Sequence, residues 1–174
     1  MAEVIYGAGK TKEQILKIAQ AMLTEQEKTV LITRMSREAA DYVKQYLDLK
    51  YDEMSRTGRI GDIPKPDGAG KIVIATGGTS DMPVAEGAAL TAEIYGNEVI
   101  RLYDVGVAGM HRLMDHVEEI MSARVIVAIA GMEGALASVI GGMADCPVSV
   151  VNIDNGFGAG YLASMINHLD SKKN

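Results

Sequence analysis

The sequence predicts a three-layer α/β/α domain built on a parallel sheet, preceded by a small N-terminal β-α-β-α region. Three observations predict it. After residue 70, four runs are apolar on both faces, as strands sandwiched between helices must be. Stretches with helical spacing separate those runs, and alternating strands and helices imply right-handed crossovers. Nine of the 19 glycines fall in four segments that each follow one of the runs, where a doubly covered sheet places its binding loops.

The N-terminal region opens with Val4-Ile5-Tyr6, a short apolar run closed by Gly7 and Gly9. Thr11 and Gln14 have the spacing of a capping box, in which each side chain satisfies an orphan amide of the first helical turn. Ile15, Ile18, Ala19 and Met22 follow at helical spacing. Thr29 to Thr33 is β-branched and reads as a strand. Ser36 caps a second helix running to about Leu47, with Ala39, Ala40, Val43 and Leu47 inward. The turn-rich stretch from Gly58 to Gly68 holds Pro64 and Pro66, which punctuate structure. The expected division is residues 1–57, a connector over 58–70, and a main α/β domain over 71–174.

In the main domain the strands are Lys71–Thr76, Val99–Tyr103, Arg124–Ile129 and Val148–Ile153. Helices are expected over Val84–Tyr95, through the face formed by Leu113, Met114, Val117, Ile120 and Met121, over Leu136–Met143, and over Leu162–Leu169.

Composition narrows the function classes. The 174 residues are 48% hydrophobic, with one Phe and no Trp, so Ala, Met and aliphatics must build the core. A pI near 5.1 and few stacking aromatics disfavour nucleic-acid binding. The start lacks a signal peptide's basic and apolar regions, and no run approaches a membrane span, so a cytoplasmic location is expected. A single cysteine forbids an internal disulfide and a cysteine-only zinc site. The net charge of -6 arises after residue 70, where six Lys+Arg face twelve Asp+Glu, against eleven of each before it. Arginines there are therefore informative.

The four glycine segments are Gly77–Asp81, Asp104–Arg112, Gly131–Ala135 and Asp154–Gly160. Glycine admits close backbone approach, and helix starts favour anions, so together they form a candidate phosphate or carboxylate cradle. Each alone also reads as a tight turn with a cap. Gly78, Gly131, Gly134, Gly156 and Gly158 are candidates for backbone approach; Thr79, Ser80, Asp104, Asn152, Asp154 and Asn155 add hydrogen-bonding groups. Arg112 is the expected partner of a ligand anion, with His111 beside it as donor or proton shuttle. Glu133, flanked by Gly and apolar residues, is a candidate acid or base through desolvation; its other reading is a helix-start charge. Asp81 carries mixed cap and catalytic readings. Cys146, before Pro147, reads as a small core residue or a nucleophile. No metal site is expected; Mg2+ is compatible with the carboxylates, though nothing demands it. The last loop lacks the full dinucleotide fingerprint, so nicotinamide-cofactor binding is not expected.

Four stretches carry a resemblance: Gly78 to Glu86, Tyr103 to Arg112, Ala130 to Leu136 and Asn152 to Gly160. With the Val4 to Thr11 start, they resemble the LarB family of nickel-pincer cofactor biosynthesis. The first three loops more distantly resemble PurE, the aminoimidazole ribonucleotide (AIR) carboxylase or mutase. The resemblance implies a PurE-like, flavodoxin-like fold and a homo-oligomer, an octamer in that family. It implies carboxylation of nicotinic acid adenine dinucleotide with CO2 or bicarbonate as co-substrate, and hydrolysis to pyridinium biscarboxylic acid mononucleotide and AMP. In this reading Ser80, Asp81, His111 and Arg112 position phosphate, ribose or carboxylate, and Glu133 handles a proton or water. The alternatives are a PurE-type ribotide carboxylase or mutase, and a catalytically silent nucleotide-binding subunit. The chain departs from the family between Met143 and Val150, where a further strand, loop and helix carrying the reactive cysteine are absent. Cys146 is the only thiol near that place.

Overall fold

A computed structural model describes residues 3–24, 29–151 and 154–169. The chain divides into two compact units, Met1–Pro64 and Lys65–Asn174.

In the first unit, β1 (Val4–Tyr6) runs parallel to β2 (Val30–Thr33), connected by α1 (Lys12–Thr24). The Thr11 amide donates to Gln14 Oε1 at 2.9 Å and the Gln14 amide donates to Thr11 Oγ1 at 3.3 Å, so the capping box forms as expected. Ser36 caps α2 (Arg37–Val43) by accepting the Ala39 amide at 3.2 Å. This helix stops four residues short of Leu47. The sequence reading missed a hairpin, β3 (Leu49–Asp52) and β4 (Thr57–Ile60), giving the order β1-β2-β4-β3 with the last three strands antiparallel. Gly58, Arg59 and Ile60 therefore belong to a central strand, a correction to the connector. A Cβ on Gly58 would lie 2.8 Å from Met35 Sδ and 3.0 Å from Leu49 Cδ1, so a larger residue there needs both side chains to shift. Tight packing, which composition cannot report, selected a residue that reads as a turn.

The second unit is the expected α/β fold: a parallel sheet with helices on both faces. Its strands are β5 (Lys71–Thr76), β6 (Glu98–Leu102), β7 (Val125–Ile129) and β8 (Val148–Val151), in the order β6-β5-β7-β8. Alternation along β5 sends Ile72 and Ile74 to one face and Val73 and Ala75 to the other. The first face packs on α3 (Met82–Ile94) and α7 (Gly156–Asn167). The second packs on α4 (Met110–Met114), α5 (Val117–Ser122) and α6 (Ala135–Met143) through Leu113, Ile120, Leu136 and Ile140. The single helix expected through Leu113 and Met121 is thus two short helices. Met114 and Met121 point to solvent because the break at Asp115 and His116 turns the face away.

The last helix starts six residues earlier than expected, at Gly156 rather than Leu162. Most of the fourth glycine loop is therefore helix, and Gly156 and Gly160 serve packing. A Cβ on Gly156 would run into the Val84 carbonyl oxygen, and one on Gly160 into that of Ala88. Glycine and alanine on both helices let α3 and α7 approach closely. Beneath them, buried Asn167 donates to the Gly70 carbonyl at 2.8 Å and to Asn97 Oδ1 at 2.9 Å, and Asn97 donates to Ser164 Oγ at 2.8 Å. The network ties residue 70 to the end of α7. Among the described residues no helix is long and apolar enough to cross a membrane.

Candidate functional site

The strand order places β5 between β6 and β7, so the connections from β5 and β6 leave in opposite directions. A crevice opens at the carboxyl ends of the strands at such a switch point. Here a cavity of about 240 Å3 is lined by Gly77, Gly78, Ser80 and Asp81 after β5, by Gly106, Val107 and Ala108 after β6, and by Ala130, Gly131, Met132 and Glu133 after β7. Ala135 and Leu136 of α6 complete its wall.

Each loop is held by identifiable bonds. Thr79–Asp81 forms a 3-10 turn leading into α3. Asp81 closes it backwards, its Oδ2 accepting the Gly78 amide at 3.1 Å. Its carboxylate lies beside both Gly77 and Gly131, so it faces the loops after β5 and β7. The β6 loop is anchored by Thr76, a buried hydroxyl at the end of an apolar strand. Thr76 Oγ1 accepts the Asp104 amide and its carbonyl accepts the Val105 amide, both at 3.0 Å. Gly106 then lies so close to Gly77 that a Cβ would meet the Gly77 carbonyl oxygen. Asp104 and Met132 have φ of 58° and 52°; Asp, like Asn, adopts this left-handed region at little cost, whereas Met does not. Tyr103 donates to Glu86 Oε1 at 2.5 Å, which fixes the start of the β6 loop on α3, and burial pushes the phenol pKa up.

The structure gathers some expected residues and separates others. Gly78, Ser80, Asp81, Gly131 and Glu133 line the cavity, with Thr79 and Gly134 adjoining it along the chain. Glu133 is exposed, so the burial inferred from its apolar flanks is absent. Met132 beside it is 92% exposed at the mouth. Arg112 and His111 stand on α4, outside the lining residues, and both are exposed. Arg112 reaches Asp104 at 3.5 Å, the two side chains being 43% and 46% exposed. Such a loose surface pair contributes at most about 1 kcal/mol and is readily exchanged for a ligand anion. Arg101, by contrast, is engaged by Glu93 at 2.5 Å and Glu86 at 3.3 Å.

The expectations for Gly156, for Asn155 and Gly158, and for Cys146 need correction. Gly156 is buried against α3, where helix packing leaves it no access to a ligand. Asn155 and Gly158 border a second groove with Ser149, Val150 and Leu162 on the β8 side, and Asn155 caps α7 by accepting the Gly158 amide at 3.1 Å. Asp154 is exposed beside them, and Asn152 lies outside the described residues. Cys146 precedes β8, so a parallel strand puts it at the opposite end of the sheet from the cavity. The five residues of β7 alone span about 16 Å. Burial, reinforced by Asp145, pushes the Cys146 thiol pKa up, contrary to what a nucleophile needs. Chain distance suggested proximity; strand direction reversed it.

Gly106, Val107, Ala108, Met132 and the anchor Thr76 were not singled out as site residues. The available signal was a lone hydroxyl ending an apolar strand. Among the described residues no group of three His, Cys, Asp or Glu is arranged to hold a metal.

Residues 71–170 match the AIR carboxylase family, and residues 1–62 match the LarB/PurE-like N-terminal domain. An uncharacterized protein of Methanocaldococcus jannaschii is 37% identical over 203 residues, covering 94% of this chain and 78% of its own length. Since 94% of 174 residues is about 164, about 40 of those 203 positions have no counterpart in this chain.

Proposed function

Because this chain belongs to the AIR carboxylase family and carries its LarB/PurE-like N-terminal domain, we propose that it is a LarB-type carboxylase of nicotinic acid adenine dinucleotide. The family makes carboxylation the reaction class. The observation that supports this site is the cavity at the switch point, where Asp81 meets the glycine loops after β5 and β7. Its volume suits one ring and the incoming CO2, with the phosphates left for the loops and Arg112.

In the proposed reaction an external nucleophile such as a small thiol first adds to the pyridinium; the ring carbon so enriched attacks CO2, and the nucleophile is expelled when the ring regains its aromaticity. The new C–C bond forms, and the ring proton passes to a carboxylate, for which Asp81 is placed. The Gly78 amide fixes the Asp81 carboxylate in orientation. Ala108, Ala130 and Leu136 give CO2 an apolar wall. Glu133, at the solvent side, suits the water that cleaves the phosphoanhydride and releases AMP. Oligomerisation, with eight copies as the family resemblance implies, belongs to the same proposal.

One observation favours a second reading. A pyridinium is electron-poor and attacks CO2 only after a nucleophile adds to it, whereas Cys146 is at the wrong end of the sheet. An aminoimidazole ribotide has an enamine-like carbon that needs no thiol, which favours PurE-type chemistry. Labelled bicarbonate with each substrate separates the readings. Label in the pyridinium with release of AMP supports the first, and stimulation by added small thiols would identify the missing nucleophile. Label in the aminoimidazole without AMP supports the second. Saturable dinucleotide binding without turnover of either would leave a silent nucleotide-binding subunit and defeat both.

A further inference from the structure

Among the described residues the C-terminal sheet ends on β6 and β8, and the two edges differ. Charge blunts the β6 edge, where Glu98 pairs with Lys71 at 3.0 Å and Arg101 with Glu93 at 2.5 Å. The β8 edge, Val148-Ser149-Val150-Val151, carries no charged residue. From Gly134 to Leu169 the sequence has no Lys, Arg or Glu. Its two carboxylates stand at the ends of this edge, Asp145 before β8 and Asp154 after it. Arg124 and the pair His168–Asp67, 3.0 Å apart, belong to the end that holds Asp145. An uncharged edge strand is a template for another strand.

The backbone of β8 is placed for such pairing. The strand runs parallel to β7, and the Pro147 and Val151 carbonyls accept the Ile126 and Ala130 amides. Residues 147, 149 and 151 therefore face β7, and Val148 and Val150 turn their amides and carbonyls outward. An apolar stripe runs beside the edge. Gly156 and Gly160 of α7 face α3. Leu162 and Met165, with Leu169 just beyond the helix, recur at helical spacing on the opposite side. With Val150 these side chains are 47–64% exposed, and Leu162 lines a groove with Ser149 and Val150.

We infer that this face binds a second copy of the chain, by antiparallel pairing of β8 with β8 across a two-fold axis at Ser149. That register sets Val148 opposite Val150 of the second copy and engages the outward amides and carbonyls of both. The helices fit the same axis. Helix α7 lies over β7 and β8. The two copies of α7 are then two strand spacings apart, roughly 10 Å, which is helix-packing distance. Leu162, beside Ser149 in the groove, meets Leu162 of the second copy. Charge selects the occupant. A two-fold sets each residue near its own copy, so a charged face of this chain, whose net charge is -6, would repel itself. The uncharged band of β8 and α7 meets no such repulsion, and it offers a partner of opposite charge nothing to pair with. The inference is independent of the reaction assigned to the cavity, and it names a surface where the eight-copy reading names only a number.

Sedimentation velocity of the full chain over a range of concentrations tests this surface. The natural chain should self-associate. Val150→Lys, at the edge strand, and Leu162→Glu, on the helix stripe, should each raise the dissociation constant at least about tenfold, because each buries an unpaired charge in the contact. Both positions are exposed in the single chain, and unchanged far-UV circular dichroism shows that the variants fold. The decisive arm mixes Leu162→Glu with Leu162→Lys. Each alone should be weakened, and the mixture should associate more tightly than either, because residue 162 meets its own copy. A natural chain that stays monomeric overturns the proposal. So does a mixture that associates no better than its components. Eight copies that persist unchanged in Val150→Lys and Leu162→Glu overturn this surface and leave the eight-copy reading standing.

Discussion

Alanine at Gly160 and alanine at Gly142 should change stability in opposite directions. Both glycines lie in helices, so each substitution gains about 0.5–1 kcal/mol from the lower backbone entropy of alanine. Around Gly142, in α6, nothing stands within 4 Å of a new Cβ, so that gain is kept. At Gly160 the new Cβ would strike the Ala88 carbonyl oxygen and come within 3.0 Å of the Ala88 carbonyl carbon and Thr91 Cβ. Those atoms belong to a packed helix and cannot rotate away. Overpacking costs about 1–3 kcal/mol, so Gly160→Ala should be destabilising by about 1–2 kcal/mol net. Urea unfolding followed by circular dichroism reads both free energies, and in thermal unfolding the Tm should shift by about 2–4 °C per kcal/mol, down for Gly160→Ala and up for Gly142→Ala. A neutral or stabilised Gly160→Ala would refute the close approach of α3 and α7, and with it the reassignment of these glycines from ligand loop to helix seam.

Other consequences follow from the same geometry. Arg112→Ala should weaken an anionic substrate by about 1.5–3 kcal/mol, read as a raised Kd; unaltered affinity would remove Arg112 from the site. Cys146→Ala should leave turnover unchanged. The thiol, protonated over a wider range because burial opposes the thiolate, should alkylate slowly at neutral pH, with a rate that rises only above the usual thiol pKa. Rapid labelling at pH 7 would contradict that placement. Asn167→Ala should cost about 2–3 kcal/mol in urea unfolding, because the Gly70 carbonyl and Asn97 Oδ1 both lose their buried donor.

Agreement between sequence and structure is strongest where one local pattern suffices. Runs such as Arg124 to Ile129 are apolar at every position, and only a strand with helices on both sides buries both faces. The capping pairs Thr11–Gln14 and Ser36–Ala39 were equally readable, because the groups that bond are three residues apart. Part of the cavity was readable too. Glycines and Asp81 directly after β5, and Glu133 after β7, must lie at the carboxyl edge of a parallel sheet.

The residues that misled the reading share a property: their meaning lies in a neighbour distant in sequence. Gly58 is shaped by Met35, Gly156 by Val84, and Gly160 by Ala88. Glycine reports only that a Cβ is absent, and it reads alike in a turn, a ligand loop and a helix seam. Cys146 shows the same limit for chemistry, since a thiol is useful only at the end of the sheet where the substrate sits. The amino-acid order by itself determined the alternation of elements after residue 70, the layer architecture and the placement of the segments after β5, β6 and β7 at the crevice, because periodicity and capping act over a few residues. Only the tertiary structure decided which glycines approach a ligand and which approach a helix. It also decided that Arg112 rests on Asp104 and that the cysteine faces away from the site. Those outcomes depend on strand direction and on backbone separations of a few ångströms, set by packing between segments far apart in the chain.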